Sequence, residues 1–145
     1  MVHGALSPSH LKDACFLVGK AYGVKNLGRL LHEITLIESG GGLEKSQFGG
    51  VCSISHGLFS LMQHHSGFYE YRKEIQKAFN IDIRKVRFAQ LATNPTLSLI
   101  VAGAWVLANV GSIPKKRIAR AKLYNKWWRS FPLQNYMERT KPTPS

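Results

Sequence analysis

Cysteine is scarce in this sequence. Cys15 and Cys52 are the only two, too few and too widely spaced for a zinc motif, which leaves one disulfide or, the preferred reading, two partly buried thiols in a reduced compartment. Long apolar runs are lacking as well. Thr93 to Pro114 carries no formal charge, but Asn94, Pro95, Ser98, Asn109 and Ser112 interrupt it. Its continuous apolar part, Leu99 to Ala108, falls short of the ~20 residues that span a bilayer, so a buried core helix is expected there. The opening Met1-Val2-His3-Gly4-Ala5-Leu6-Ser7-Pro8 shows no basic segment followed by an apolar one, and a secretory signal is not expected. Zinc-protease spacing is missing too, because His32-Glu33 is followed by Leu36 where a second histidine would stand, and His64-His65 cannot face one site on a helix. Gly40-Gly41-Gly42 lacks both the Lys-Ser/Thr ending and the preceding strand of a phosphate loop. No metal and no cofactor is expected.

Positive charge is what the chain has in excess. Twenty lysines and arginines against eight acidic residues give a formal charge of +12, which predicts attraction to nucleic acid, anionic lipid or an anionic cell wall and says nothing of fold. The 44% apolar and 19% charged fractions of the 145 residues are those of one globular domain. Residues 1–140 are read as that domain, and 141–145 (Lys141-Pro142-Thr143-Pro144-Ser145) as a flexible tail.

The pattern is predominantly helical. Ser7-Pro8-Ser9 opens a first helix over about Ser9 to Ala21. Asn26 is expected to cap a second, whose stripe of Leu27, Leu30, Leu31, Ile34 and Ile37 runs into Glu38 and stops at Gly40-Gly41-Gly42. Leu43 to Ser55 reads as an irregular loop or short hairpin. Further helices are expected over Leu58 to His64, Phe68 to Phe79, Ile83 to Leu91, Thr96 to Val110 and, strongly basic, Lys115 to Arg129.

Glu38 is therefore a carboxylate on the last turn of an apolar helix, facing a loop. Protonating a poor leaving-group oxygen near neutral pH requires a carboxyl in an apolar setting, which is the arrangement of a glycosidase acid. Leu36, Ile37, Phe59 and Met62 are expected to supply the setting, with Met62 on the cleft floor. Glu33 lies about 140° away around the helix and is expected to be a solvated or salt-bridged surface residue. Glu44 sits in the following loop, where nothing in the sequence fixes it against the cleft.

Four stretches in order, "AYGVKNLGRLLHEITLIESGG", "SISHGLFSLMQ", "NPTLSLIVAGAWVL" and "AKLYN", resemble the motifs of the lysozyme-like lytic transglycosylases, the superfamily of soluble lytic transglycosylase and goose-type lysozyme. The sequence departs from the pattern at Leu58, Ser60 and Lys126. The resemblance implies an α+β lysozyme-like fold, predominantly α, with a catalytic cleft and at most a small β-hairpin. It also implies Glu38 as the catalytic acid/base. Substrate contacts are assigned to Ser39, Ser53, Ser55, Gln63, Tyr124 and Asn125: Ser53 and Ser55 both match the motif serine, Ser39 or Ser55 would hold a sugar acetamido group, and Tyr124 would orient Glu38.

The function so implied is cleavage of the β-1,4 bond between N-acetylmuramic acid and N-acetylglucosamine in peptidoglycan, with 1,6-anhydro products. A monomer is expected, made in the cytoplasm of a phage-infected bacterium and acting at the periplasm or cell wall, or carried in a virion. Lys115, Lys116, Arg117, Arg120, Lys122, Lys126 and Arg129, with Trp127-Trp128, form a basic cluster suited to an anionic membrane or envelope surface. Nucleic acid is not an obligatory partner. The alternatives are a muramidase on the same bond, a basic helical nucleic-acid-binding domain and a wall-binding protein without catalysis.

Overall fold

A computed structural model describes residues 7–42 and 50–141. The expected loop residues 43–49, Glu44 among them, and 142–145 of the expected tail lie outside the described residues. What is described is predominantly helical, with eight α-helices: α1 (Pro8–Tyr22), α2 (Leu27–Ser39), α3 (His56–His64), α4 (Tyr69–Phe79), α5 (Gln90–Thr93), α6 (Pro95–Asn109), α7 (Arg117–Trp127) and α8 (Leu133–Arg139). Among the described residues there is no strand; Ile54 stands in a single bridge position. No helix among them is long and apolar enough to cross a membrane.

The uncharged stretch forms α6, the hub of the fold. Asn94 caps it by accepting from the Leu97 amide at 3.3 Å, and Pro95 takes the first turn, where its missing N–H leaves no orphan. Leu97 through Ala104 are buried on every side of the helix, because α1, α2, α3, α4 and α5 all pack against it. Each fully buried leucine, isoleucine or valine there contributes roughly 1.5–3 kcal/mol.

Helices α1 and α2 approach unusually closely through two glycines. A Cβ on Gly19 would stand 2.5 Å from the Gly28 nitrogen, and one on Gly28 would stand 2.8 Å from the Phe16 Cα. Only glycine at both places lets the backbones meet. Asn26, expected to cap α2, makes no side-chain cap; it adopts φ 69° and donates through Nδ2 to the Ile113 carbonyl at 3.2 Å, tying the start of α2 to the segment before α7.

The expected helix over Ile83 to Leu91 is broken into a 3-10 turn at Ile83–Lys85 and the short α5. Val86 is extended (φ −81°, ψ 134°). The Gln63 amide takes the Ile83 and Val86 carbonyls at 3.0 and 2.7 Å, carbonyls that a continuous helix would have used itself. Helix α8 was not anticipated, and the basic helix is shorter than expected, ending at Trp127.

Helices α7 and α8 are fixed to α2 by an ion pair of Glu33, a salt bridge the sequence allowed for, but its place corrects the expectation. Rather than lying at the surface, Glu33 is buried at 6% exposure. Arg120 of α7 grips it with Nε and Nη2, both at 2.7 Å, and the Tyr136 hydroxyl of α8 donates to Oε1 at 2.8 Å. The remaining Arg120 nitrogen, Nη1, donates to the carbonyls of Lys115 at 2.6 Å and Pro114 at 3.3 Å. A buried ion pair is tolerable only when its lone pairs and protons are satisfied in this way. Hydrogen bonding and attraction from Glu33 outweigh desolvation and hold the Arg120 guanidinium above its ordinary value.

Candidate active site

Helix α2 carries Glu38 to the rim of the core and stops there. Gly40 ends the helix in the left-handed region at φ 55°, its amide donating to the Thr35 carbonyl. Ser39 is buried, its hydroxyl within reach of the Thr35 carbonyl at 3.1 Å and the Val51 carbonyl at 2.9 Å. That link fastens the helix end to the segment carrying Ser53 and Ser55. Glu38 is thereby held with its side chain only 5% exposed.

Tyr124 of α7 and Arg129, two residues past its end, converge on one oxygen of Glu38. The Tyr124 hydroxyl donates to Oε1 at 2.5 Å, and Arg129 Nε donates to the same atom at 2.6 Å and to the Tyr124 oxygen at 3.1 Å. Tyr124 reaches Glu38 because it lies four residues beyond Arg120, on the same face of α7. Its ring packs on Tyr136 at 5.5 Å and edge-on to Phe131 at 6.2 Å. Burial, then the hydrogen bond to Glu38, pushes the Tyr124 phenol well above its ordinary value, so it stays a donor. Desolvation opposes the charge of Arg129, but bonds to Tyr124 and Glu38 prevail and raise it above its ordinary value.

Glu38 and Arg129 line a cleft of about 340 Å³, within the usual size of small-ligand sites. Its other lining residues are Ser53, Ser55, Leu58, Trp105, Trp127 and Trp128. Trp105 stacks on Phe68 at 5.8 Å and donates from Nε1 to the Trp127 carbonyl at 3.2 Å, which couples α6 to the end of α7. Lys126 lies over the Trp127 ring at 5.3 Å. Ser55 caps α3 by accepting from the Leu58 amide at 3.1 Å, a bond that leaves its own O–H available to a ligand. Ser53 takes a left-handed conformation (φ 54°), closing a turn with its amide on the Gly50 carbonyl at 3.0 Å. A non-glycine residue in that region carries strain of about 1–2 kcal/mol.

Of the residues picked from the sequence, Glu38, Ser53 and Ser55 line the cleft, Tyr124 is buried and reaches it only through its bond to Glu38, and three more lie apart from it. Ser39 faces the core. Gln63 spends its amide on the two carbonyls of the 83–86 segment. Asn125 donates to the Ala121 carbonyl at 3.0 Å and accepts from the Phe131 amide at 2.8 Å, shaping the turn into α8. Met62 and Phe59, expected around the carboxylate, lie in the core at 0% and 2% exposure; the apolar walls come from Leu58 and the tryptophans.

The basic cluster is not one face. Arg120 is buried on Glu33, Arg129 enters the cleft, and Arg117 donates to the Met137 carbonyl at 2.9 Å, leaving Lys115, Lys116, Lys122 and Lys126 exposed. Trp105 and Arg129 were missed as site residues. Trp105 sits in a helix that reads as pure core, and Arg129 follows the end of a helix whose charges read as surface.

Cys15 and Cys52 are both free and buried. Among the described residues no three histidine, cysteine, aspartate or glutamate side chains are grouped to hold a metal ion. Comparison of the chain with models of protein families, with curated proteins and with solved structures finds no match.

Proposed function

We propose that this protein is a peptidoglycan lytic transglycosylase of lysozyme-like fold in which Glu38 serves alone, first as acid and then as base. The observation that carries the reading is a single enclosed carboxylate in a tryptophan-walled cleft. Glu38 is the one acidic residue among the described cleft-lining residues, and Glu33 is committed to Arg120 and Tyr136. Paired carboxylates about 5–9.5 Å apart, as direct retention or inversion requires, are not available from these two.

In the proposed reaction Glu38 gives its proton to the glycosidic oxygen as the bond to C1 of the muramic sugar breaks. Its carboxylate then takes the proton of the 6-hydroxyl of that sugar, whose oxygen closes on C1 to form the 1,6-anhydro ring. The proton returns to Glu38, and no water is consumed. Tyr124 and Arg129 donate to the carboxylate that exists between the two steps, and charge-assisted hydrogen bonds of this kind are worth about 1.5–3 kcal/mol each. Exposed lysines and the net charge of +12 favour retention on an anionic wall, which suits a phage endolysin or a virion-borne wall enzyme.

End-group analysis tests the reaction type. Purified sacculi are incubated with the protein and the released muropeptides are examined by mass spectrometry. Anhydro-muramic ends are expected, whereas reducing ends would reassign the protein as a muramidase. The Arg129 ion pair favours a second reading, glycan binding without cleavage, since the carboxylate oxygen that would face a substrate is already engaged by Arg129 and Tyr124. Binding to sacculi with no release of fragments would select it.

A further inference from the structure

The Arg129 guanidinium is only half used. Its Nε–H serves Glu38 and Tyr124, while among the described residues Nη1 and Nη2 have no partner. The side chain is 51% exposed and borders the cleft. Two contacts nonetheless restrain it, Nε on Glu38 and the Phe131 ring 5.6 Å from Cζ, a ring itself edge-on to Tyr124. A guanidinium anchored through Nε and backed by an aromatic ring presents its two terminal nitrogens as a preset fork, the geometry that binds a carboxylate in two parallel hydrogen bonds.

We propose that Arg129 forms an anion subsite beside Glu38 that selects glycans carrying a free carboxylate on the sugar at the reacting bond over neutral glycans. The proposal rests on the glycan-cleaving reading above and names its substrate class. The three tryptophans supply the apolar surface for sugar rings, and Arg129 supplies the one orienting charge. A polyphosphate chain fits less well, since its successive charges would meet the Glu38 carboxylate next to the fork. On a wall glycan the lactyl carboxylate of muramic acid is free only where its peptide amide has been hydrolysed. Amide hydrolysis is therefore the class of reaction that supplies the preferred substrate.

The test uses the Glu38→Gln protein, which prevents turnover while its amide oxygen still accepts from Arg129. Tryptophan fluorescence follows titration with short N-acetylglucosamine–N-acetylmuramic acid oligomers bearing free carboxylates, with the same oligomers as methylamides, and with neutral N-acetylglucosamine oligomers. The free-carboxylate form is expected to bind about ten- to a hundredfold more tightly than the other two. Adding Arg129→Gln should shrink the difference to within about twofold, and Arg129→Lys should restore part of it. Equal affinities in the Glu38→Gln protein, a preference that survives Arg129→Gln, or tighter binding of a single-stranded oligonucleotide would overturn the subsite. An Arg129-dependent preference in a protein whose wild-type form cleaves no wall glycan would keep the subsite and remove the transglycosylase reading. No binding of any of the three would remove both.

Discussion

Replacing Arg120 with methionine tests how the site is held together. Arg120 is 4% exposed and Glu33 8% by side chain, joined by two contacts of 2.7 Å, so the change strands a carboxylate in the core with only the Tyr136 hydroxyl on it. Removing one partner of a buried pair costs about 3–5 kcal/mol, a large share of the ~5–15 kcal/mol that holds a domain folded. For a chain of 145 residues each kcal/mol moves the melting temperature by about 2–4 °C, giving an expected fall of about 6–20 °C. Differential scanning calorimetry with a circular-dichroism control reads it. Activity should fall with it, because Arg120 sets the register of α7 from which Tyr124 reaches Glu38. Replacing the whole cluster with apolar side chains, Arg120→Met with Glu33→Leu and Tyr136→Phe, should recover most of the stability, since no charge or hydroxyl is left unpaired. A melting temperature within about 2 °C of wild type for Arg120→Met alone would refute the argument that this pair clamps α7 and α8 to α2.

Tyr124→Phe removes one charge-assisted donor from Glu38 and is expected to lower kcat by about ten- to a hundredfold with a smaller change in KM; steady-state kinetics on soluble wall fragments would show it, and an unchanged kcat would mean that Tyr124 only packs. Gly28→Ala should destabilise by about 1–3 kcal/mol in urea unfolding despite alanine's better helix propensity, because the new methyl meets the Phe16 backbone. Burial pushes the Cys15 thiol up to about 12 and that of Cys52 well above its ordinary value. Raised folded values mean that stability from keeping these thiols neutral is complete below the ordinary thiol value of 9.0 and declines as pH climbs from there toward about 12. Disulfide-exchange reagents at about pH 8 should therefore label neither thiol until the protein unfolds, and rapid labelling of the native protein would contradict this.

The helices were legible where one physical signal dominated. The stripe of Leu27, Leu30, Leu31, Ile34 and Ile37 and the glycines after Ser39 bracketed α2, and Asn94-Pro95 placed the start of α6 within one residue of Pro95. Local signals failed where distant partners intervened. Gln63 captures the carbonyls of Ile83 and Val86 from 20 and 23 positions away, and no local pattern records that. Glu33 looked like a surface residue because helical phase says only that it faces away from Glu38, not that Arg120 and Tyr136 bury it from 87 and 103 positions away. The site was half legible for the same reason. Its carboxylate announced itself at the end of an apolar helix, whereas the tryptophan walls and the Arg129 contact arise only when α6, the end of α7 and the residues after it meet the end of α2.

The most direct test of the central claim is the rate at which wild-type and Glu38→Gln proteins release soluble fragments from dye-labelled sacculi. Wild-type protein is expected to release them, and Glu38→Gln to bind sacculi equally well while releasing less than about a hundredth as much, the loss typical when a general acid is removed. Full release by Glu38→Gln would contradict the assignment of Glu38, and no release by either protein would contradict the enzyme itself.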